Sequence, residues 1–280
     1  MKHHRNNLPA DSLPITRDLK IAYLLSLVVA LLMAAASAGG LLYPSTIYPT
    51  DALRQSFVAN DVVNLFIGLP ILLGSMSLTW RGKLVGLLFW PGALLYVLYN
   101  YMAYIFGIPF GLISFVYLAL VLLSAYIMFD LLRSTDKRAV QAQLAGAVPV
   151  KTAGWIPVVF GVMFIFRAIG VIAEASTNQT TLPISEIGTL IADLVLSMAW
   201  IAGGALLLHR MPLGYVSGLG LLFAGSMLFI GLIMFLLLQP VLTDAPFDVA
   251  GVIVVSIMGL ICFIPFGLFM RGVVSKGKTP

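Results

Sequence analysis

The chain has 280 residues, of which 60% are hydrophobic and 10% charged, with a formal net charge of +5 and a mean hydropathy of +1.04. A soluble domain carries about 25% charged residues, so this composition excludes an ordinary soluble protein and predicts one that crosses a membrane many times. The positive balance does not indicate a nucleic-acid partner: the basic residues stand singly or in small groups at the ends of apolar runs, where they orient a protein in a bilayer.

A transmembrane helix needs about 20 predominantly apolar residues to cross about 30 Å of hydrocarbon. Eight stretches meet that requirement: 19–42, 61–80, 84–106, 111–132, 155–175, 187–208, 215–239 and 249–270. They are long and continuous, without the ten-residue alternation of barrel strands. The fold class is therefore all-α: a polytopic membrane protein with eight transmembrane helices. Residues 1–18 form a tail, 19–132 a first four-helix half, 133–154 a connector, 155–271 a second four-helix half and 272–280 a second tail.

The first segment has two readings. A basic lead, an apolar run and then Ala36-Ser37-Ala38 resemble a cleavable signal peptide, which would leave a terminus at Gly39. The apolar stretch continues to Leu42 behind a long lead, which favours a retained span. Between spans one and two, residues 43–60 are amphipathic. Thr50 is a suitable helix cap with Asp51 in the first turn, and Leu53, Phe57 and Val58 fall near one face, away from Arg54 and Gln55. A short helix lying at the outer interface is expected there. Pro70 is expected to kink span two. The connector 133–154, basic at its start, suits contact with anionic headgroups.

Fourteen of the sixteen basic residues fall on one side of an eight-span arrangement, which places both termini in the cytoplasm and the chain in a plasma or inner membrane. Only Arg54 lies on the opposite side, and Arg167 lies within a span. At an offset of 132 residues Asp61 matches Asp193, Val63 matches Val195, Gly82 matches Gly214, Gly86 matches Gly218 and Leu87 matches Leu219. A parallel 4+4 duplication is one reading; chance matching among Leu, Val and Gly is the other.

Charged groups inside spans are costly, at roughly 2.5–3.5 kcal/mol near the bilayer centre, and they mark the candidate site. Arg167 lies about 18 Å along span five from Trp155. Glu174 follows two turns later on nearly the same face. Asp193 lies about 9 Å into span six, within reach of Arg167 if the two spans are antiparallel neighbours. Span two adds Asp61 and Asn64 one turn apart. Span three ends with four tyrosines and Asn100, and Tyr96, Asn100 and Tyr104 share a face. An aromatic belt at the membrane interface is the plainer reading of the tyrosines, and a packing ion pair is the plainer reading of Arg167. The paired motifs Gly82-x-x-x-Gly86 and Gly214-x-x-x-Gly218, with Gly203-Gly204, predict close helix contacts. Asn178-Gln179-Thr180 matches a glycosylation acceptor in an external loop.

Catalytic and metal signatures are absent from the sequence. His3, His4 and His209 form no ligand set, Cys262 stands alone, and there is no phosphate loop or nucleophile elbow. No cofactor is expected. An acid pair such as Asp61 and Asp193 is the sole enzymatic reading, and nothing around either residue supports it. The sequence points to a small-solute or ion permease with an outward-opening polar cavity, taking a small polar or anionic solute. Arg167 would be its centre, Glu174 and Asp193 its counter-charges, and Asp61, Asn64, Asn100 and Tyr104 its lining. The alternative is a non-transporting sensor, assembly factor or partner subunit. The apolar surface of the eight spans makes the lipid bilayer the chain's other partner.

Overall fold

A computed structural model describes residues 13–276. In chain order its helices are α1 (Lys20–Leu42), α2 (Pro44–Ile47), α3 (Asp51–Val63), a π-helical turn (Asn64–Gly68), α4 (Leu69–Trp80), α5 (Leu84–Gly107), α6 (Leu112–Ser134), α7 (Lys137–Leu144), α8 (Val150–Thr177), α9 (Ile184–Leu208), α10 (Pro212–Leu242) and α11 (Val249–Lys276). Eight helices are long and apolar enough to cross a membrane, counting α3, the π turn and α4 as one 30-residue helix. Several outrun the expected spans: α8 starts at Val150 and α10 ends at Leu242. A helix does not have to stop where the apolar run does.

Within the segment expected to lie at the interface, residues 44–47 form the short α2, and residues 51–60 are instead the first turns of span two. Thr50 caps it, its hydroxyl accepting from the Leu53 amide at 3.3 Å. The apolar face that suggested contact with lipid is buried against protein: Phe57 packs between the rings of Tyr48 and Tyr104. Arg54 pairs with Asp51 and donates to the Tyr48 carbonyl. The π turn sits immediately before Pro70, where its wider ring of hydrogen bonds accommodates a residue that has no amide to donate.

α5 is the central helix. Every residue from Gly86 to Leu98 is buried, and α5 packs against α4, α6, α9 and α10. In lipid, helices are held together by close packing and interhelical hydrogen bonds rather than by expelled water. Both devices are present. The Trp90 indole donates to Ser26 Oγ at 3.0 Å, and Ser37 and Tyr101 share a hydrogen bond of 3.1 Å. α5 crosses α10 where Gly92 meets the backbone of Gly220, beside the stacked rings of Phe89 and Phe223, 4.1 Å apart.

Two helix pairings recur between the first four and the last four spans. α1 lies on α6 as α8 lies on α11, and α3 meets α10 as α9 meets α5. The α4–α5 and α9–α10 turns also match. The Lys83 amide donates to the Leu78 carbonyl at 3.0 Å, and the Met211 amide to the Leu206 carbonyl at 2.9 Å. Gly86 packs on the backbone of Leu78 and Thr79, as Gly214 does on Leu206 and Leu207. The two turns lie 128 residues apart, from Leu78 to Leu206, whereas the sequence matches run at 132. Gly82 is not a packing glycine. Its φ of +72° and open surroundings make it a turn residue.

The connector is docked rather than free. Asp136 caps α7 by accepting from the amides of Arg138 and Ala139, Val140 and Leu144 are buried, and Gln141 donates to the Arg210 carbonyl at 2.7 Å. The chain before α1 is tied to the end of α6, the Thr16 amide donating to the Ser134 carbonyl at 2.7 Å.

Candidate functional site

A cavity of about 280 Å³ opens between α3 and α5 on one side and α8, α9 and α10 on the other. It lies in the half of the bundle away from the Arg81–Lys83 turn. Its polar lining includes Asn60, Asn100, Arg167, Thr189 and Asp193, and its walls are largely aromatic, with Tyr96, Tyr99, Phe164, Trp200 and Phe229 among them. Few polar groups converging within apolar walls are the usual form of a small-molecule site.

The charged group is built across the α8–α9 hairpin. Arg167 Nη1 donates to Asp193 Oδ2 at 2.8 Å, and Nη2 to Glu186 Oε1 at 2.7 Å. Glu186 and Asp193 are two turns apart on α9, so one guanidinium bridges both. The Tyr99 hydroxyl donates to the remaining Asp193 oxygen at 2.9 Å. Asp193 is buried with 2% of its side chain exposed, whereas Arg167 keeps 40% exposed. The antiparallel hairpin thus brings Arg167 and Asp193 together as the sequence suggested.

Glu174 is not brought into this group. It is exposed on α8, and both acids paired with Arg167 come from α9. The helical spacing that suggested Glu174 applies equally to Glu186 and Asp193, and that symmetry was the available signal. Both arms of the Arg167 guanidinium hold carboxylates.

The other expected residues form a second cluster behind the cavity wall. Asp61, Asn64 and Tyr104 are buried and do not line the cavity. Tyr48 donates to Asp61 Oδ2 at 2.6 Å, and Tyr104 to Asp61 Oδ1 at 3.0 Å. Asn60 joins the clusters: its Nδ2 lies 3.3 Å from Asn100 Oδ1 and 3.2 Å from Tyr104 Oη. The tyrosines at the end of α5 therefore do not form an interfacial belt; Tyr96, Tyr101 and Tyr104 are fully buried. Sequence reasoning missed Tyr48, Asn60, Tyr99, Glu186 and Trp200. Only Glu186 and Tyr99, through their spacing from named residues, gave any signal.

Among the described residues no three His, Cys, Asp or Glu side chains converge as a metal site. Cys262 is a buried packing residue whose Sγ lies 3.7 Å from Ser226 Oγ. The chain matches no known protein family, no curated protein and no solved structure.

Proposed function

We propose that the protein is a gradient-driven or facilitated permease for a small organic solute, with the α3–α5–α8–α9–α10 cavity as its outward-opening binding site and both termini in the cytoplasm. The observation that carries this reading is the cavity itself, which combines aromatic walls with an ion pair and two amides between the two four-helix halves. Toward the Arg81–Lys83 end, the Gly92–Gly220 crossing and the Phe89–Phe223 stack close the bundle below it. A site between paired halves, open on one side and closed on the other, suits alternating access. The matching helix pairs and turns support descent of the halves from one duplicated four-helix unit.

The test uses purified protein in detergent, with Trp200 in the wall as reporter. Amino acids, small organic amines and small carboxylates are screened by tryptophan fluorescence, with Trp200→Phe as the control that abolishes the response. Solutes that bind are then followed into proteoliposomes. One class is expected to bind and to enter at a rate at least roughly tenfold lower in Asn100→Leu, a loss of about 1.4 kcal/mol. No response from any class, or uptake equal to that of empty vesicles, rejects the permease reading and leaves the non-transporting one.

Orientation has its own test. A cysteine at Gln179, in the α8–α9 loop, is expected to react with a membrane-impermeant maleimide on intact cells, and one at Gly146 only after lysis. The reverse pattern would invert the assigned topology.

A further inference from the structure

The cavity leaves one costly group unexplained. Asp61 is 1% exposed, and none of the ion pairs among the described residues includes it. Asp193, the other buried carboxylate of the bundle, has a guanidinium; Asp61 has only neutral donors. From α1 it faces Gly40, from the α2–α3 link Tyr48, and from α5 Tyr104, with Tyr101 and the α6 residue Tyr117 stacked behind. The nearest cation on its own helix is Arg54, two turns earlier, which is engaged by Asp51 and the Tyr48 carbonyl. An isolated carboxylate removed from water costs several kcal/mol, and two phenol hydroxyls offset only part of that.

A metal ion does not fit. Gly40 lies so close that a Cβ there would collide with both the Asp61 carboxylate and the Tyr48 hydroxyl, and among the described residues no three His, Cys, Asp or Glu side chains converge there. A proton needs no space. We propose that Asp61 is a proton-binding carboxyl whose loading is communicated to the cavity through Tyr104 and Asn60. Naming the proton as a coupling ion rests on the permease reading; the proton site itself does not.

The hydrogen bonds around Tyr104 provide two states. Its hydroxyl has two acceptors in reach, Asp61 Oδ1 at 3.0 Å and the Phe57 carbonyl at 3.4 Å. With Asp61 ionised, Tyr104 donates to it. When a hydronium ion gives up a proton that ends in an O–H bond at Asp61 Oδ1, it is left as water and the carboxylate becomes a neutral carboxyl. The carboxyl then donates to Tyr104 Oη, and Tyr104 turns its own hydrogen to Phe57. The phenol oxygen also has the amides of Asn60 and Asn64 as donors, at 3.2 and 3.4 Å. A phenol oxygen accepts about two hydrogen bonds, so a third donor displaces one amide. Asn60 is the one with another partner, Asn100, in the cavity wall. Loading Asp61 thereby releases Asn60 toward the solute site.

Acid-minus-alkaline infrared difference spectra of the lipid-reconstituted protein test this directly. A protonated-carboxyl stretch is expected in the wild type, lost in Asp61→Asn and retained in Asp193→Asn. Tyr104→Phe, which removes the carboxyl's partner, is expected to shift that band, and it keeps the test decisive if Asp61→Asn does not fold. Absence of the band from the wild type, its persistence in Asp61→Asn, or an unshifted band in Tyr104→Phe overturns the proposal. A band without solute uptake leaves the proton site standing and rejects the permease reading; uptake without the band does the opposite.

Discussion

Replacing Arg167 with leucine is expected to destabilise the protein by about 2–3 kcal/mol, and replacing Asp193 with leucine in the same chain is expected to recover most of that loss. The reason is the asymmetry of the pair. Arg167 is partly exposed, so its own removal sacrifices little, but it leaves Asp193 buried with only the Tyr99 hydroxyl as donor. Breaking a buried ion pair from one side costs about 3–5 kcal/mol, reduced here because water reaches the guanidinium. Glu186 keeps about a third of its side chain exposed and tolerates the loss of its partner. Denaturant or thermal unfolding of the three variants in one detergent measures the effect. Equal stability of the single variant and the wild type would show that solvent already screens the pair. A double variant that folds but no longer binds solute separates the binding role from the packing role.

The second large effect is expected at the helix crossing. A methyl at Gly92 would meet the Gly220 carbonyl, which is backbone and cannot rotate away, so α5 and α10 must move apart. Overpacking of this kind costs about 1–3 kcal/mol, and in lipid no expelled water compensates for separated helices. Gly92→Ala is expected to lower the unfolding midpoint, and Gly92→Val to lower the yield of folded protein. Gly74 and Gly170 sit in helices with open space where a methyl group would point, so alanine there is expected to be neutral or stabilising, by up to about 1 kcal/mol. If all the alanine variants behave alike, the crossing is looser than the structure indicates.

The number of spans was legible because about 20 apolar residues have few other uses in a protein. The Arg167–Asp193 contact was legible because a short connection makes α8 and α9 neighbours, and the two charges lie at similar distances from it. The choice between Glu174 and Glu186 was not. Each stands two turns from a member of the pair, and what separates them is the rotation of α8, which leaves Glu174 on the outer surface. Amphipathicity alone likewise could not separate a helix lying on lipid from one packed on protein: Leu53 and Phe57 serve either, and Tyr48 and Tyr104 decided it. Tyr48 was invisible as a partner of Asp61 because it comes from an irregular link, where spacing carries no directional information. Of the glycine motifs, Gly86 and Gly214 mark close backbone contacts and Gly82 does not, and neither motif contains Gly92 or Gly220, which mark the crossing.

The π turn before Pro70 has a consequence for the phase of the whole second span. A π turn holds about one residue more than an α turn, and one residue corresponds to roughly 100° of helical rotation. The buried stripe of α3, which carries Phe57 and Asp61, is therefore out of step with the stripe of α4, which carries Leu72 and Met76. Each half of the helix presents its own side to the bundle, and the surplus residue between them keeps both sides correctly turned.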